Sequence, residues 1–319
     1  MDKILEIKNL HLGFNTLNGF KEAVHGIDFS LKKGELHALV GESGCGKTVT
    51  AMSVLNLLPK NAKITQGEII YDNKNLLMLS PREMNKIRGA KIALIPQDPM
   101  TSLNPLYTIE NQLLEVLKIH QGLTGKDAQI KAKEALDLVQ IPNAVERMKS
   151  YPHEFSGGMK QRAIIAMALA CQAEIIIADE PTTALDVTIQ AQIMNLLNEI
   201  KKENKTSILL ITHDLALVKE NADRISVMYS GDIVETGENC EFFIKPSHPY
   251  TKALLNSLPD TNKQRLETIQ GQPPSIQEDI KGCKFHPRCK DCFASCTTTI
   301  PQEVFISKTH SAKCLLVNS

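Results

Sequence analysis

Apolar residues recur on one side of the chain over 5–12 (Leu5, Ile7, Leu10, Leu12) and again over 24–31 (Val24, Ile27, Phe29, Leu31). Such near-alternation puts one face against a core, so both stretches are expected to be strands. Lys32-Lys33-Gly34 predicts a turn into a third strand over 35–40. Then the period changes: Ala51, Met52, Val54, Leu55 and Leu58 lie at helical spacing and predict a helix over 48–58. Further strands are expected over 67–71, 92–95, 174–181, 207–211, 225–228 and 233–235, and helices over 109–121, 126–139, 163–170 and 187–203. Strands alternating with helices predict an α/β fold with a parallel-sheet core. The opening pair predicts a small antiparallel β layer over that core, and 97–160 reads as a helical insertion. Prolines and polar residues increase at about 245–250, which divides the chain into a domain over 1–245 and an extension over 246–319.

Composition changes this picture mainly by exclusion. Lys and Arg number 36 against 36 Asp and Glu, so no basic excess argues for nucleic acid. Aromatic residues are only 4% and Trp is absent, which leaves few surfaces for stacking bases. No stretch approaches the ~20 apolar residues of a membrane span. The charged start, Met1-Asp2-Lys3-Ile4-Leu5-Glu6, lacks the apolar core of a signal peptide. A cytoplasmic location is therefore expected.

The candidate chemistry begins at Gly41-Glu42-Ser43-Gly44-Cys45-Gly46-Lys47-Thr48, which fits G-x-x-x-x-G-K-[ST] between a predicted strand and helix. Glycines let backbone N–H groups point at a triphosphate, and the helix start adds a positive field. With Val49, these residues are expected to bind ATP; Lys47 reaches the β- and γ-phosphates and the Thr48 hydroxyl holds Mg²⁺. Cys45 reads as filler and not as a nucleophile. Phe14, placed in the turn between the first two strands, is expected either to stack on adenine or to pack under the turn. Ser156-Gly157-Gly158 gives a second helix an N-cap and a bare backbone, hence a second anion-binding start. Two such starts do not normally serve one phosphate in one monomer.

The apolar strand before Asp179-Glu180 presents two acids at its carboxyl end. There, nucleotide hydrolases hold Mg²⁺, the expected role of Asp179, and orient or deprotonate water, the expected role of Glu180. His213, delivered by the next strand, is expected to touch the γ-phosphate and that water. Each feature has a plain alternative: a glycine turn, a capped helix, a solvated acidic turn, a structural histidine. Their succession in one chain weighs against it. Five of the eight cysteines follow residue 282. In a reducing compartment such crowding favours Zn²⁺ or an iron–sulfur cluster over disulfides, with scattered free thiols as the alternative.

The order of these motifs resembles that of the ATP-binding cassette (ABC) ATPases: the phosphate loop, Gln97 after a short strand, Ser156-Gly157-Gly158, Asp179-Glu180, Asp186 and His213. The match covers 1–245. It implies an ABC-type P-loop NTPase fold and a head-to-tail dimer that sandwiches ATP. Ser156, Gly157, Gly158 and Asp186 would then face nucleotide on the partner's phosphate loop. The resemblance adds Gln97 to Thr48 and Asp179 at Mg²⁺, and to Glu180 and His213 in hydrolysis. Phe155 and Met159 replace the usual Leu and Gln around the second glycine motif, and Pro96 replaces a common Phe.

Residues 95–105, 151–156, 248–251 and 282–289 look more narrowly like the ATPases of oligopeptide and dipeptide importers. Residues 61–70 and 87–89 resemble the first, D-type member of their ATPase pair. That likeness implies ATP hydrolysis powering peptide uptake, with the chain peripheral on the cytoplasmic face of the inner or plasma membrane. The implied partners are a second ABC ATPase in a heterodimer, two transmembrane permeases and an extracytoplasmic peptide-binding protein, with no nucleic acid. An ATPase of a nickel or metal-chelate importer is the alternative. Cys283, Cys289, Cys296 and Cys314 match tail cysteines that the resemblance assigns to a [4Fe–4S] cluster, with Zn²⁺ as the other choice; Cys292 is extra.

Overall fold

The computed structural model describes residues 2–183, 185–258 and 269–318. Of the expected tail, residues 259–268 and Ser319 lie outside the described residues, as does Ala184 before Asp186. The chain divides into two compact units, Met1–Met78 with Ile211–Ser319, and Leu79–Leu210.

In the first unit Gly19–Lys32, Lys3–Thr16, Ala62–Tyr71 and Lys74–Asn75 form an antiparallel sheet in that order. Leu5, Ile7, Leu10 and Leu12 are buried, as are Val24, Ile27 and Leu31 on the neighbouring strand. Each such side chain contributes about 1.5–3 kcal/mol of burial as an upper bound. The first two strands run 14 residues each, well past the apolar pattern. Ladder hydrogen bonds need no apolar side chain, so the pairing continues to Thr16 opposite Gly19. This corrects the expectation for Phe14. It sits inside the strand, opposite Lys21 and Ala62, and the turn falls at Leu17 and Asn18.

The second sheet of this unit sets Leu36–Val40 parallel to Arg224–Tyr229, with His37 opposite Arg224 and Val40 opposite Val227. Arg224–Tyr229 pairs antiparallel with Asp232–Glu238, which in turn takes Ser311–Ala312 from the C-terminal segment. The helix after the phosphate loop is Lys47–Val54, shorter than the expected 48–58. Asn56 adopts a left-handed φ of 50°, which ends the helix before its last apolar positions. Leu55 is nonetheless buried beyond the final turn.

In the second unit Ile92–Ile95 runs parallel to Ile175–Asp179. The helices Ile109–Gln121, Gly125–Leu138 and Gly157–Ala170 pack on one another. Ile109–Gln121 coincides with its prediction because its ends are chemically marked. The Thr108 hydroxyl accepts from the Asn111 N–H at 3.2 Å, and Gly122 closes the helix in the left-handed region. Gly157–Ala170 starts six residues before the expected 163–170, because the Ser156 cap outweighs the poor helix propensity of two glycines. The strand Ser207–Thr212 carries the chain across the boundary into the first unit.

Candidate functional site

In the first unit the fully buried strand Leu36–Val40 delivers the chain to Gly41. A Cβ there would lie 2.1 Å from the Met228 carbonyl oxygen, so only glycine lets the loop leave the sheet at this point. Gly46 caps the following helix at a φ of 110°. Lys47, Thr48 and Val49 head that helix, where geometry aims their N–H groups away from i−4 carbonyls. Ser43 and Gly44 form the exposed rim. The buried Lys47 ammonium donates to the carbonyls of Gly41 at 2.8 Å and Glu42 at 2.9 Å. Burial, the largest influence, pushes the Cys45 thiol up from its ordinary pKa and keeps it a neutral filler, in keeping with its reading. His213 is exposed immediately after Ser207–Thr212.

Sequence reasoning missed a set of tail residues at the phosphate loop. The Glu42 N–H donates to the Tyr250 hydroxyl at 3.0 Å, and Arg288 forks onto the Glu42 carboxylate at 2.6 and 3.0 Å. The only available signal was the occurrence of His248-Pro249-Tyr250 and His286-Pro287-Arg288 in the same chain, which says nothing about where they meet.

In the second unit parallel register aligns the acids with the glutamine. Ile95 lies opposite Ala178, so Gln97 and Glu180 each leave their strand two residues later at the same level. There the Gln97 amide donates to Glu180 Oε2 at 3.0 Å, and the Thr183 hydroxyl donates to the same oxygen at 2.8 Å. Asp179 is fully buried, whereas Glu180 takes a left-handed φ of 46°. That conformation is strained for a side chain with a Cβ, and such strain concentrates at functional positions.

The Ser156 hydroxyl caps Gly157–Ala170, accepting from the Met159 N–H at 3.3 Å. A Cβ on Gly157 would meet nothing within 4 Å, and one on Gly158 would make ordinary contacts with Ile189 at 3.7 Å and Leu185 at 3.9 Å. Packing among the described residues therefore requires neither glycine. The Asp186 carboxylate caps Val187–Asn204 through the Ile189 N–H at 2.9 Å.

The four tail cysteines are free thiols that share one neighbourhood. Burial first, and then the charges of Cys314, Cys296 and Cys289, push the Cys283 thiol up to about 11. The Cys283 N–H also donates to the Cys296 carbonyl at 2.9 Å. Among the described residues, however, no group of three or more His, Cys, Asp or Glu side chains is arranged to hold a metal ion.

A family model described as "ABC transporter" matches residues 24–183, and another described as "Oligopeptide/dipeptide transporter, C-terminal region" matches 234–296. Over 319 residues the chain is 49% identical to the dipeptide transport ATP-binding protein DppD of Bacillus subtilis, spanning 99% of this chain and 95% of that protein. It is 46% identical over 306 residues to the oligopeptide transport ATP-binding protein OppD of Escherichia coli, at 95% and 90% coverage. Among solved structures, the dimeric cassette MJ0796 in a post-hydrolysis state with ADP and Pi is similar with a TM-score of 0.67 and 28% identity. That match covers 74% of this chain and 98% of the other.

Proposed function

The chain belongs to the ATP-binding proteins of oligopeptide and dipeptide ABC transporters, and from that premise we propose that it hydrolyses ATP to power peptide import through partner permeases. The observation that carries the chemistry is the Gln97–Glu180 hydrogen bond at the carboxyl ends of two parallel strands. Lys47 and the loop N–H groups bind the phosphates, Glu180 activates water, and Gln97 and His213 orient it. Thr48, Gln97 and Asp179 offer oxygen donors suited to Mg²⁺, which supplies charge neutralisation on the phosphates. The open Gly157 and Gly158 backbone supports a shared site, in which Ser156 and Asp186 face nucleotide on a second ABC ATPase. A heterodimer is the arrangement proposed.

Two permeases and an extracytoplasmic peptide-binding protein complete the assembly. Met100, Leu106 and Tyr107 leave large apolar surface exposed on the Gln97 segment, which suits docking to a permease. Among the described residues no helix is long and apolar enough to cross a membrane, and peripheral attachment at the cytoplasmic face is the proposed location. The relatives are named for dipeptide or oligopeptide transport, which lends no support to the nickel alternative. Replacing Glu180→Gln is expected to leave ATP binding intact and lower hydrolysis about 10²–10⁴-fold. Cells carrying only that variant should lose dipeptide uptake while nickel uptake is unaffected. Normal hydrolysis by the variant would overturn the catalytic assignment.

The Cys-bearing extension is proposed to take up an iron–sulfur cluster on Cys283, Cys289, Cys296 and Cys314, a reading supported by their common neighbourhood. Protein purified without oxygen should carry iron and acid-labile sulfide, and lose both in Cys296→Ser. Full-length protein devoid of iron and sulfide would rule it out.

A further inference from the structure

The contacts between the C-terminal segment and the phosphate loop are more specific than packing requires. Tyr250 is fully buried, with its ring centroid 4.6 Å from that of Tyr229 and 5.2 Å from that of Phe285. Its hydroxyl takes the Glu42 N–H. The Arg288 side chain is almost completely enclosed. Besides its two bonds to Glu42, it donates to the carbonyls of Gln270 at 3.0 Å and Gly271 at 3.2 Å and to the Tyr229 hydroxyl at 3.4 Å. Its guanidinium therefore has its planar fork fixed before it meets the carboxylate. A buried bidentate pair of this kind holds geometry, and lysine does not replace it.

Glu42 is thus gripped at its N–H and at its carboxylate by residues more than 200 positions away in sequence. Its carbonyl is the third handle: it accepts from Lys47, the side chain assigned to the β- and γ-phosphates. Any rotation of the Glu42 peptide moves the acceptor that sets where Lys47 waits. The Cys45 carbonyl, two residues before Lys47, is tied in the same way by the Gly231 N–H at 2.9 Å.

We infer that Tyr250 and Arg288 are positioning residues for ATP, clamping Glu42 so that the phosphate loop and Lys47 are preorganised for the triphosphate. The inference rests on the ATP-hydrolysing reading and assigns a task to the C-terminal segment that neither cassette motif nor cargo explains.

Tyr250→Phe removes one hydroxyl, and Arg288→Lys keeps the charge but loses the fork. In full-length protein, calorimetric titration with ATP should show affinity weakened about 5- to 20-fold in each, the scale of one charged or buried hydrogen bond. Assembled transporter should show KM for ATP raised by the same factor and kcat within about twofold. In a double-mutant cycle, Glu42→Ala with Arg288→Ala should bind ATP no worse than the weaker single variant. A merely structural role would lower the melting temperature and the active fraction while leaving KM unchanged. ATP affinity within twofold of the unmodified protein in both Tyr250→Phe and Arg288→Lys, or additive losses in the cycle, would overturn the inference. Absence of ATP binding in the unmodified protein would instead overturn the functional reading itself.

Discussion

His248 is buried, and burial lowers its pKa to about 4, with the nearby Lys252 charge acting in the same direction and Glu235 against it. Burial likewise holds His37 well below its ordinary value, helped by Arg224. Both rings are therefore neutral in the folded protein, while in the unfolded chain they protonate near pH 6.5. Below that pH the unfolded state binds more protons, so stability falls as pH drops from 6.5 towards 4, by up to about 1.4 kcal/mol per pH unit for each such ring. Asparagine at position 248 keeps a side-chain acceptor for the Tyr250 N–H, which His248 Nδ1 now takes at 3.0 Å. His248→Asn should therefore flatten the acid limb of a urea-midpoint-versus-pH curve while leaving the neutral limb nearly in place. Residues of this kind were legible only in part. The loop, Asp179, Glu180 and Gln97 are written in local patterns, but the burial of His248 depends on a fold-back that no local pattern encodes.

At the scale of elements, strands with continuous apolar runs match their expected bounds within two residues, as does Ile109–Gln121, whereas the capped helix Gly157–Ala170 starts six residues before its apolar run. The long hairpin does not match its expected bounds either, since Asn15 and Thr16 extend it through backbone pairing and the Thr16 hydroxyl, which donates to the Gly19 carbonyl at 2.8 Å, with no apolar signal. Phe14 was misplaced for that reason. The α/β expectation with a parallel core holds because Ile92–Ile95 and Ile175–Asp179 are buried runs of few polar residues. Gly157 offers the sharpest test at this scale. With open space where its Cβ would go, Gly157→Ala should raise helix stability by about 0.5–1 kcal/mol. If the bare backbone receives nucleotide from a partner, the same change should cut ATPase activity tenfold or more. Thermal melting and turnover would then move in opposite directions, which no purely structural helix would allow.

Across the molecule, the C-terminal segment belongs to the same compact unit as the phosphate loop. Its anchor is Glu235, fully buried, which accepts from the Ser247 and His248 N–H groups at 2.8 Å and from His310 at 2.7 Å. Glu235→Ala leaves those donors buried without an acceptor and should cost about 3–5 kcal/mol. Chemical denaturation of the full chain would measure it, and a loss below about 1 kcal/mol would show the anchor to be dispensable. The composition shift at 245 marked a real change in sequence character, yet Ser311–Ala312 still adds to the sheet through Asp232–Glu238. Sequence separation hides such a union, because loop closure over long distances costs little more than over short ones.

The Glu42 clamp also sets a timetable for synthesis. The phosphate loop emerges early, but Arg288 follows Glu42 by 246 residues. At typical ribosomal speeds of roughly 5–20 residues per second, that is about 10–50 s of translation. Throughout that interval the nascent chain displays a nucleotide loop whose fastening has not yet been made. The loop takes its clamped form only when nearly the whole polypeptide exists, because Arg288 is among the last residues to be made.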